Sequence, residues 1–296
     1  MKIKKNYVIL LHGILKSSKH MKKIEKYLEQ SDYTVINISY DYKKSISDIA
    51  DYVYSKVFAI TKNSEDEQEE INFVTHSLGG LIVRELLNKY KLNNLEKVIQ
   101  IAPPNHGSEV ASFLKDNYFY KKYCGIAGQE LVKDNSGIMN KLGAVNYELG
   151  VIAGNKSNIF GNFLISDIND GRVSTMSTKV EEMKDYIELD LAHNELVKST
   201  KIFEKIELFL RYGYFEEKSK DETRAIKEFK GSKEVMEHYS GLEEEEWYGE
   251  GTQELALKGK FSPDTDKNFR NTSNGNKVAS HKTIKEIKMG GLDDEL

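Results

Sequence analysis

Short apolar runs alternate with amphipathic segments along the first 215 residues of the chain. The continuous run Tyr7–Leu11 predicts a strand that is buried on both faces, as in a parallel sheet. Further strands are predicted at Tyr33–Ser39, Asn72–His76, Leu95–Ala102, Leu149–Ala153 and Tyr186–Leu189. Helical spacing of apolar residues predicts helices at Lys19–Gln30, Ile46–Thr61, Leu78–Tyr90 and Asn194–Leu210. The alternation predicts an α/β fold with right-handed crossovers, a mostly parallel sheet and helices on both faces.

The pattern changes after residue 215. Residues 216–235 are dense in charges of both signs, which is typical of a linker or an exposed helix. Residues 236–296 are poor in apolar residues, and the composition of Asn271–Ser280 predicts disorder. We therefore expect a packed domain over residues 1–215, a charged linker, and a poorly packed, partly disordered C-terminal extension.

Charge and cysteine content narrow the classes of function. The net charge of −4 gives no electrostatic reason to expect binding to a nucleic-acid backbone. The single cysteine, Cys124, excludes an intramolecular disulfide and a cysteine-based metal cluster, and it fits a reducing compartment. We expect neither a cofactor nor a nucleic-acid partner.

Lysines precede the apolar run Tyr7–Leu11, as they do in a secretory signal peptide. The run has only about five residues, fewer than the roughly 7–15 of a secretory core. No segment approaches the ~18 apolar residues of a membrane-spanning helix. The sequence therefore predicts a cytoplasmic protein with no transmembrane segment.

Ser77 lies where a predicted strand turns directly into a helix, in "VTHSLGG". A nucleophile elbow holds its central residue in a strained conformation, so that small residues are needed close to it. Gly79 meets that requirement, and Gly80 lets the helix pack close to the strand. Thr75 stands where such elbows usually have glycine. A turn with no chemical role is the alternative, but the strand before it and the helix after it favour a nucleophilic serine.

A serine nucleophile needs a base, and the base needs a partner that orients it. His193 follows the predicted strand in "YIELDLA" and precedes a predicted helix, at the carboxyl edge of the sheet. His106, in "APPNHGSEVA", fits the wall of a pocket or the cap of a loop better. The structural alternative for His193 is a helix cap. We predict that His193 is the base.

The acid is expected on a loop between Ser77 and His193, because triads at such elbows run serine, acid, histidine along the chain. The segment "ISDINDGRVS" offers Asp167 and Asp170. Asp170 and Gly171 predict a tight turn that presents the carboxylate, whereas Asp167 is nearer to apolar residues. We predict Asp170 as the acid and keep Asp167 as the alternative.

An acyl-transfer site also needs donors for the developing oxyanion. The loop "LLHGILKSS" follows the first predicted strand, and Gly13 would let its backbone approach the serine closely. We predict that the backbone amides of Ile14 and Leu78 form the oxyanion hole. His12 and His106 are candidates for contact with substrate. Together these features predict a serine hydrolase.

Residues 6–215 resemble the bacterial lipase/esterase branch of the α/β-hydrolases. The resemblance is carried by "LLHGILKSSKHMKKIEKYL", "INFVTHSLGGLIVRELL", "IAPPNHGSEVASFL", "GIAGQEL", "GVIAG" and "NDGRVSTMSTKVEEMKDYIELDLAHNELV". It implies the α/β-hydrolase fold, a triad of Ser77, Asp170 and His193, and hydrolysis of carboxylic esters.

Two further expectations come from the same resemblance. Thr75 in place of glycine is also found within this branch. The segment Ser108–Val145 is implied to form the acyl-side wall of the site or a small cap. Because that segment is short, we expect an open site with modest chain-length selectivity, acting on a small acyl ester or a lipid.

A second resemblance concerns the C-terminal segment. "HYSGLEEEEWYGEGTQELALKGKF" resembles the first segment of conjugative relaxases, with Tyr239 at the position of their nucleophilic tyrosine and Trp247, Gly249 and Gly251 matching. Relaxases also need a histidine cluster that binds metal, whereas His281 is the only histidine after Tyr239. We expect residues 236–296 to be an inactive, truncated relaxase-like segment.

Two alternatives to ester hydrolysis stay open. The same triad could transfer an acyl group to an acceptor other than water. The relaxase-like segment could instead belong to a DNA-processing protein of a mobile element, in which the first domain is a scaffold.

Overall fold

The structure of the protein, a computed structural model, describes residues 6–61, 69–133 and 138–216. The strands in these ranges are Asn6–Leu11 (β1), Thr34–Ile38 (β2), Glu70–His76 (β3), Leu95–Ile101 (β4), Glu148–Gly154 (β5) and Asp185–Leu189 (β6). They form one sheet in the order β2-β1-β3-β4-β5-β6, and every neighbouring pair is parallel. All six predicted strands are confirmed, with ends that shift by one or two residues.

The described helices are Lys22–Glu29 (α1), Ile46–Thr61 (α2), Leu78–Lys89 (α3), Glu109–Leu114 (α4), Tyr118–Glu130 (α5), Ile159–Leu164 (α6), Thr175–Thr178 (α7) and Thr200–Tyr212 (α8). The predicted first helix is in part wrong, because Ser18–Met21 is a 3₁₀ turn ahead of α1. The predicted closing helix begins later, at Thr200, because Ser199 is extended and follows another 3₁₀ turn, Leu196–Lys198.

The sheet separates two hydrophobic cores, which explains why its strands are apolar on both faces. Within β1, Ile9 and Leu11 pack into one core with α2 and α3. Val8 and Leu10 point the other way and pack with α1 and α8. The expected helices on both faces are therefore confirmed.

The long crossover between β4 and β5 carries α4 and α5, within the segment expected to form a wall or cap. Gly125 interrupts α5 with φ 64°, and a Cβ there would lie 2.3 Å from the carbonyl oxygen of Lys43. The amide of Ile126 donates to that same oxygen at 2.8 Å. Lys43 belongs to the loop after β2, so α5 is fixed at the carboxyl edge of the sheet.

The predictions for the C-terminal part of the chain lie outside the described residues. These are the charged linker beyond residue 216, the relaxase-like segment with Tyr239, and the disorder expected at Asn271–Ser280. Within the ranges that are described, no helix combines the length and the apolar character needed to cross a bilayer.

Candidate active site

Ser77 lies at the tip of the central strand β3 and begins the turn into α3. Its φ of 52° and ψ of −119° are the strained conformation expected at a nucleophile elbow. Its amide donates to the carbonyl of Ile101, at 2.8 Å, which ties the turn to β4. A Cβ on Gly79 would lie 2.7 Å from the carbonyl oxygen of Leu11, so a larger residue there would push the elbow away from β1.

Thr75 fits without the glycine that is usual at its position. The residue is buried, and its hydroxyl donates to the carbonyl of Ile99, at 3.2 Å. The side chain therefore points along the sheet towards β4, with its polar atom paired, and away from the strained turn.

Asp170 and His193 form a buried hydrogen-bonded pair. His193 Nδ1 donates to Asp170 Oδ2 at 2.7 Å, and the His193 amide donates to the Asp170 carbonyl at 3.0 Å. Asp170 Oδ1 accepts from the amides of Arg172 and Val173, at 3.0 and 2.9 Å. Because Nδ1 carries the proton shared with the carboxylate, Nε2 of a neutral His193 is the atom free to accept a proton.

Asp167, the alternative acid, lies elsewhere on the same loop. It is exposed, and its carbonyl accepts from the side-chain amide of Asn169, at 2.9 Å. Asp170 is 2% exposed and contacts His193 directly. The structure therefore brings Asp170, and not Asp167, to the histidine.

His76 connects this pair to the elbow. Its Nε2 lies 3.1 Å from the carbonyl oxygen of His193, and the two rings are 4.8 Å apart between centroids. The ring of His20 also packs against His76, with the two ring centroids 5.1 Å apart. This contact could not be predicted from the sequence, because His76 and His193 are 117 residues apart.

The loop after β1 passes directly over the elbow. A Cβ on Gly13 would lie 3.0 Å from His76 Nδ1 and 3.1 Å from the Cβ of Ser77, so glycine permits this close approach. Ile14 follows in that loop, and Leu78 begins α3. Their amides as an oxyanion hole stay a prediction.

His12 lies beneath this loop and is fully buried. Its ring stacks on Tyr40, with centroids 4.0 Å apart. Its Nδ1 donates to the carbonyl of Gly13, at 2.9 Å, and the hydroxyl of Tyr40 donates to the carbonyl of His12. These contacts make His12 a support for the loop that carries Gly13, called the glycine loop below. The sequence had predicted that His12 contacts the substrate.

The structure does not bring His106 to the other site residues. His106 is exposed, and its amide donates to the carbonyl of Ser177, at 3.0 Å. It lines a cavity of about 420 Å³ with Lys133, Met176 and Lys179, among others, and Ser77 is not in that lining.

Large apolar side chains stand exposed on α5 and α6. They are Tyr118, Phe119, Tyr123, Ile126, Ile159, Phe160 and Phe163. α6 packs on the loop that carries Asp170, called the loop of the acid below. A Cβ on Gly161 would lie 2.5 Å from Cα of Gly171 in that loop. The end of α5 adjoins the glycine loop, where a Cβ on Gly128 would lie 3.5 Å from the side chain of Ile14. The two helices that carry these exposed apolar side chains therefore adjoin the two loops of the candidate site.

Cys124 is not a second nucleophile. It is buried in α5, and burial raises the pKa of its thiol to about 11. A thiol that stays protonated is unreactive. In the part of the chain that the structure describes, no three His, Cys, Asp or Glu side chains are grouped to hold a metal ion.

Burial keeps three histidines near the site neutral. Desolvation lowers the pKa of His12, and it lowers the pKa of His76 well below the ordinary value. It also lowers the pKa of His20 to about 4, with Lys16 and Lys198 adding to the effect. In the unfolded chain these imidazoles have a pKa of about 6.5. Below that pH the unfolded chain binds protons that the folded chain does not, so stability falls as the pH falls.

We therefore expect the free energy of unfolding to decrease from about pH 7 to about pH 5, a range in which most carboxylates stay ionised. Urea denaturation across this range measures it. His20→Asn should flatten the dependence, because one of the three groups is removed. An equal free energy of unfolding at both ends of the range would contradict the prediction.

Comparison with known proteins identifies the architecture. Residues 7–147 match the family model of palmitoyl protein thioesterase. A sequence search of curated proteins gives no significant match. Among solved structures, the mature form of lipase BlEst2 from Bacillus licheniformis is similar, with a TM-score of 0.60, 18% identity, and coverage of 71% of this chain and 92% of the lipase.

Two further structures are similar at this level. A metagenomic carboxyl esterase matches with a TM-score of 0.53, 17% identity, and coverage of 65% of this chain and 66% of the esterase. Phospholipase PlaB from Legionella pneumophila matches with a TM-score of 0.50, 20% identity, and coverage of 64% and 53%. The described chain has the α/β-hydrolase fold, as the sequence predicts, and the solved structures that resemble it include lipases and esterases.

Proposed function

We propose that the protein is a serine hydrolase that cleaves carboxylic esters through an acyl-enzyme on Ser77. The observation that carries the proposal is a buried, hydrogen-bonded Asp170–His193 pair whose histidine contacts His76, the residue next to a strained serine at the tip of β3. His76, the residue that precedes Ser77, contacts the carbonyl oxygen of His193 through its Nε2. Serine, acid and histidine follow one another along the chain in the order that this fold uses.

The proposed reaction begins with transfer of the Ser77 proton to His193 Nε2 as Oγ attacks the carbonyl carbon of the ester. Asp170 stabilises the imidazolium that forms, and the amides of Ile14 and Leu78 donate to the oxyanion. When the tetrahedral intermediate collapses, the C–O bond breaks and the imidazolium protonates the leaving alcohol. Water, deprotonated by His193, then attacks the acyl-enzyme and releases the acid.

The exposed apolar side chains of α5 and α6 favour a substrate with an apolar acyl chain. Soluble proteins rarely leave contiguous apolar surface exposed unless it contacts a ligand or a partner. Here the two helices that carry these side chains adjoin the loop of Gly13 and the loop of Asp170. A lipid or a medium-chain ester would cover apolar area that a short, polar ester leaves in water, and each buried CH₂ contributes about 0.8 kcal/mol.

Thioester cleavage is the second candidate, and the match of residues 7–147 to the palmitoyl protein thioesterase family favours it. The same triad would serve, because an acyl-enzyme forms equally from an ester or a thioester. Transfer of the acyl group to another acceptor, and DNA processing by residues 236–296, remain alternatives with no such observation behind them in the described residues.

The test uses the purified full chain with p-nitrophenyl esters from acetate to decanoate and with thioesters of the same acyl groups. We expect turnover that increases with chain length, and covalent labelling of Ser77 by a fluorophosphonate, located by mass spectrometry. Faster turnover of the thioester at every length would favour the second candidate. Absence of both turnover and labelling would overturn the proposal of a serine hydrolase.

A further inference from the structure

The catalytic groups sit on strands that do not touch. β6, which leads into His193, is the third strand from β3, which carries Ser77. Neighbouring strands are about 4.8 Å apart, so roughly 14 Å of sheet separates them. The loop after β6 must therefore reach back over β5 and β4 to bring the imidazole to the serine. Some contact has to hold it there.

We infer that His76 is a positioning residue, whose Nε2–H holds the carbonyl of His193 and thereby fixes the catalytic imidazole against the elbow. This inference rests on the proposed function. Among the described residues, His193 forms hydrogen bonds with two partners. Asp170 holds its amide and Nδ1, and His76 holds its carbonyl oxygen, at 3.1 Å. Of these two partners, only His76 is adjacent to Ser77.

The chemistry of the contact sets the protonation state of His76. A carbonyl oxygen only accepts, so Nε2 must carry the hydrogen. Nδ1 is buried with no hydrogen-bond partner among the described residues, and it lies so close to Gly13 that a Cβ there would be only 3.0 Å away. A second proton on Nδ1 would have neither partner nor solvent, and burial lowers the pKa of His76 accordingly, as do His193 and His20.

A neutral donor is also what the reaction requires. The imidazolium that forms on His193 during acyl transfer would be repelled by a cation with its ring centroid 4.8 Å away. His76 gives a directed hydrogen bond without that charge. Lysine or arginine could reach the same carbonyl only by bringing a permanent positive charge to the base.

Variants at position 76 separate positioning from packing. His76→Met fills a similar volume but has no donor, so the carbonyl of His193 loses its partner. His76→Gln keeps an N–H at comparable reach. His20→Met is the matched control, because His20 is a half-buried neighbour of His76 whose side chain makes no hydrogen bond to the loop of His193 among the described residues. Thermal unfolding of each variant monitors the fold.

We expect His76→Met to lower kcat by about 10- to 100-fold with KM almost unchanged, since small misplacements of a catalytic group cost up to about 10² in rate. His76→Gln should recover most of that loss, and the control should stay within about threefold of wild type. Equal losses in His76→Gln and His76→Met, or a wild-type kcat in His76→Met, would overturn the inference.

A measurement on the wild-type protein is independent of turnover. Side-chain ¹⁵N spectra of histidine report which ring nitrogen carries hydrogen. We expect His76 to remain in the Nε2–H form from about pH 8 to about pH 5, while exposed histidines take up protons. The Nδ1–H form, or protonation of His76 in that range, would refute the positioning role even if the chain proved to be inactive as a hydrolase. Failure of the proposed function alone would leave turnover absent and this tautomer intact.

Discussion

Ser77→Ala is expected to abolish ester hydrolysis, with a loss of kcat/KM on the order of 10⁴ or more, because loss of a triad member has that effect. The fold should be retained. The amide of residue 77 keeps its bond to Ile101, and alanine occupies the positive φ at the same cost as serine. Initial rates with p-nitrophenyl butyrate compare the activity of Ser77→Ala with that of wild type, and thermal unfolding compares their stability.

The matched control is Ser55→Ala on the exposed face of α2, far along the chain from the elbow. Its hydroxyl donates only to the carbonyl of Tyr52, at 2.7 Å. Its activity should equal that of wild type, and it should still react with a fluorophosphonate, whereas Ser77→Ala should not. Turnover by Ser77→Ala within about tenfold of wild type would rule Ser77 out as the nucleophile.

The strands of this fold could be predicted from the sequence because each one is a short apolar run bounded by polar residues. Tyr7–Leu11 reads as a continuous run since neighbouring residues enter different cores. The helices α4, α5, α6 and α7 left no comparable pattern, and α5 is interrupted at Gly125. α4, α6 and α7 have six residues or fewer, and each begins with a side chain that caps it: Ser108, Asn158 and Ser174. Such helices depend on local hydrogen bonds more than on periodic apolar positions.

The residues of the candidate site also differ in how far the sequence alone could predict them. Ser77 could be located because the elbow is a local feature, in which a strand, a strained residue and a glycine follow one another. The sequence favoured Asp170 but left Asp167 open, because three residues separate them on one loop and only folding decides which is buried beside His193. His76 could not be found at all. Its partner is a backbone carbonyl on a distant loop, and a backbone atom leaves no signature in the sequence.

Asp170→Asn is expected to lower kcat by about 10³- to 10⁴-fold with little change in KM, because the amide reverses the tautomer of the base. Asparagine has nearly the shape of aspartate, and its Oδ1 can still accept from Arg172 and Val173. Its NH₂ group would face Nδ1 of His193 and donate to it. The imidazole would then carry its hydrogen on Nε2, where it cannot accept the proton of Ser77.

Asp167→Asn is the control that tests the choice between the two acids. It makes the same chemical change three residues away on the same loop, at a side chain that is exposed. We expect its kcat to stay within about twofold of wild type, as for most surface substitutions away from a site. Steady-state rates on one ester, with unfolding curves for both variants, compare them directly. If Asp167→Asn proved the more damaging change while both proteins remained folded, the acid would have to be Asp167, and the contact between Asp170 and His193 would be structural.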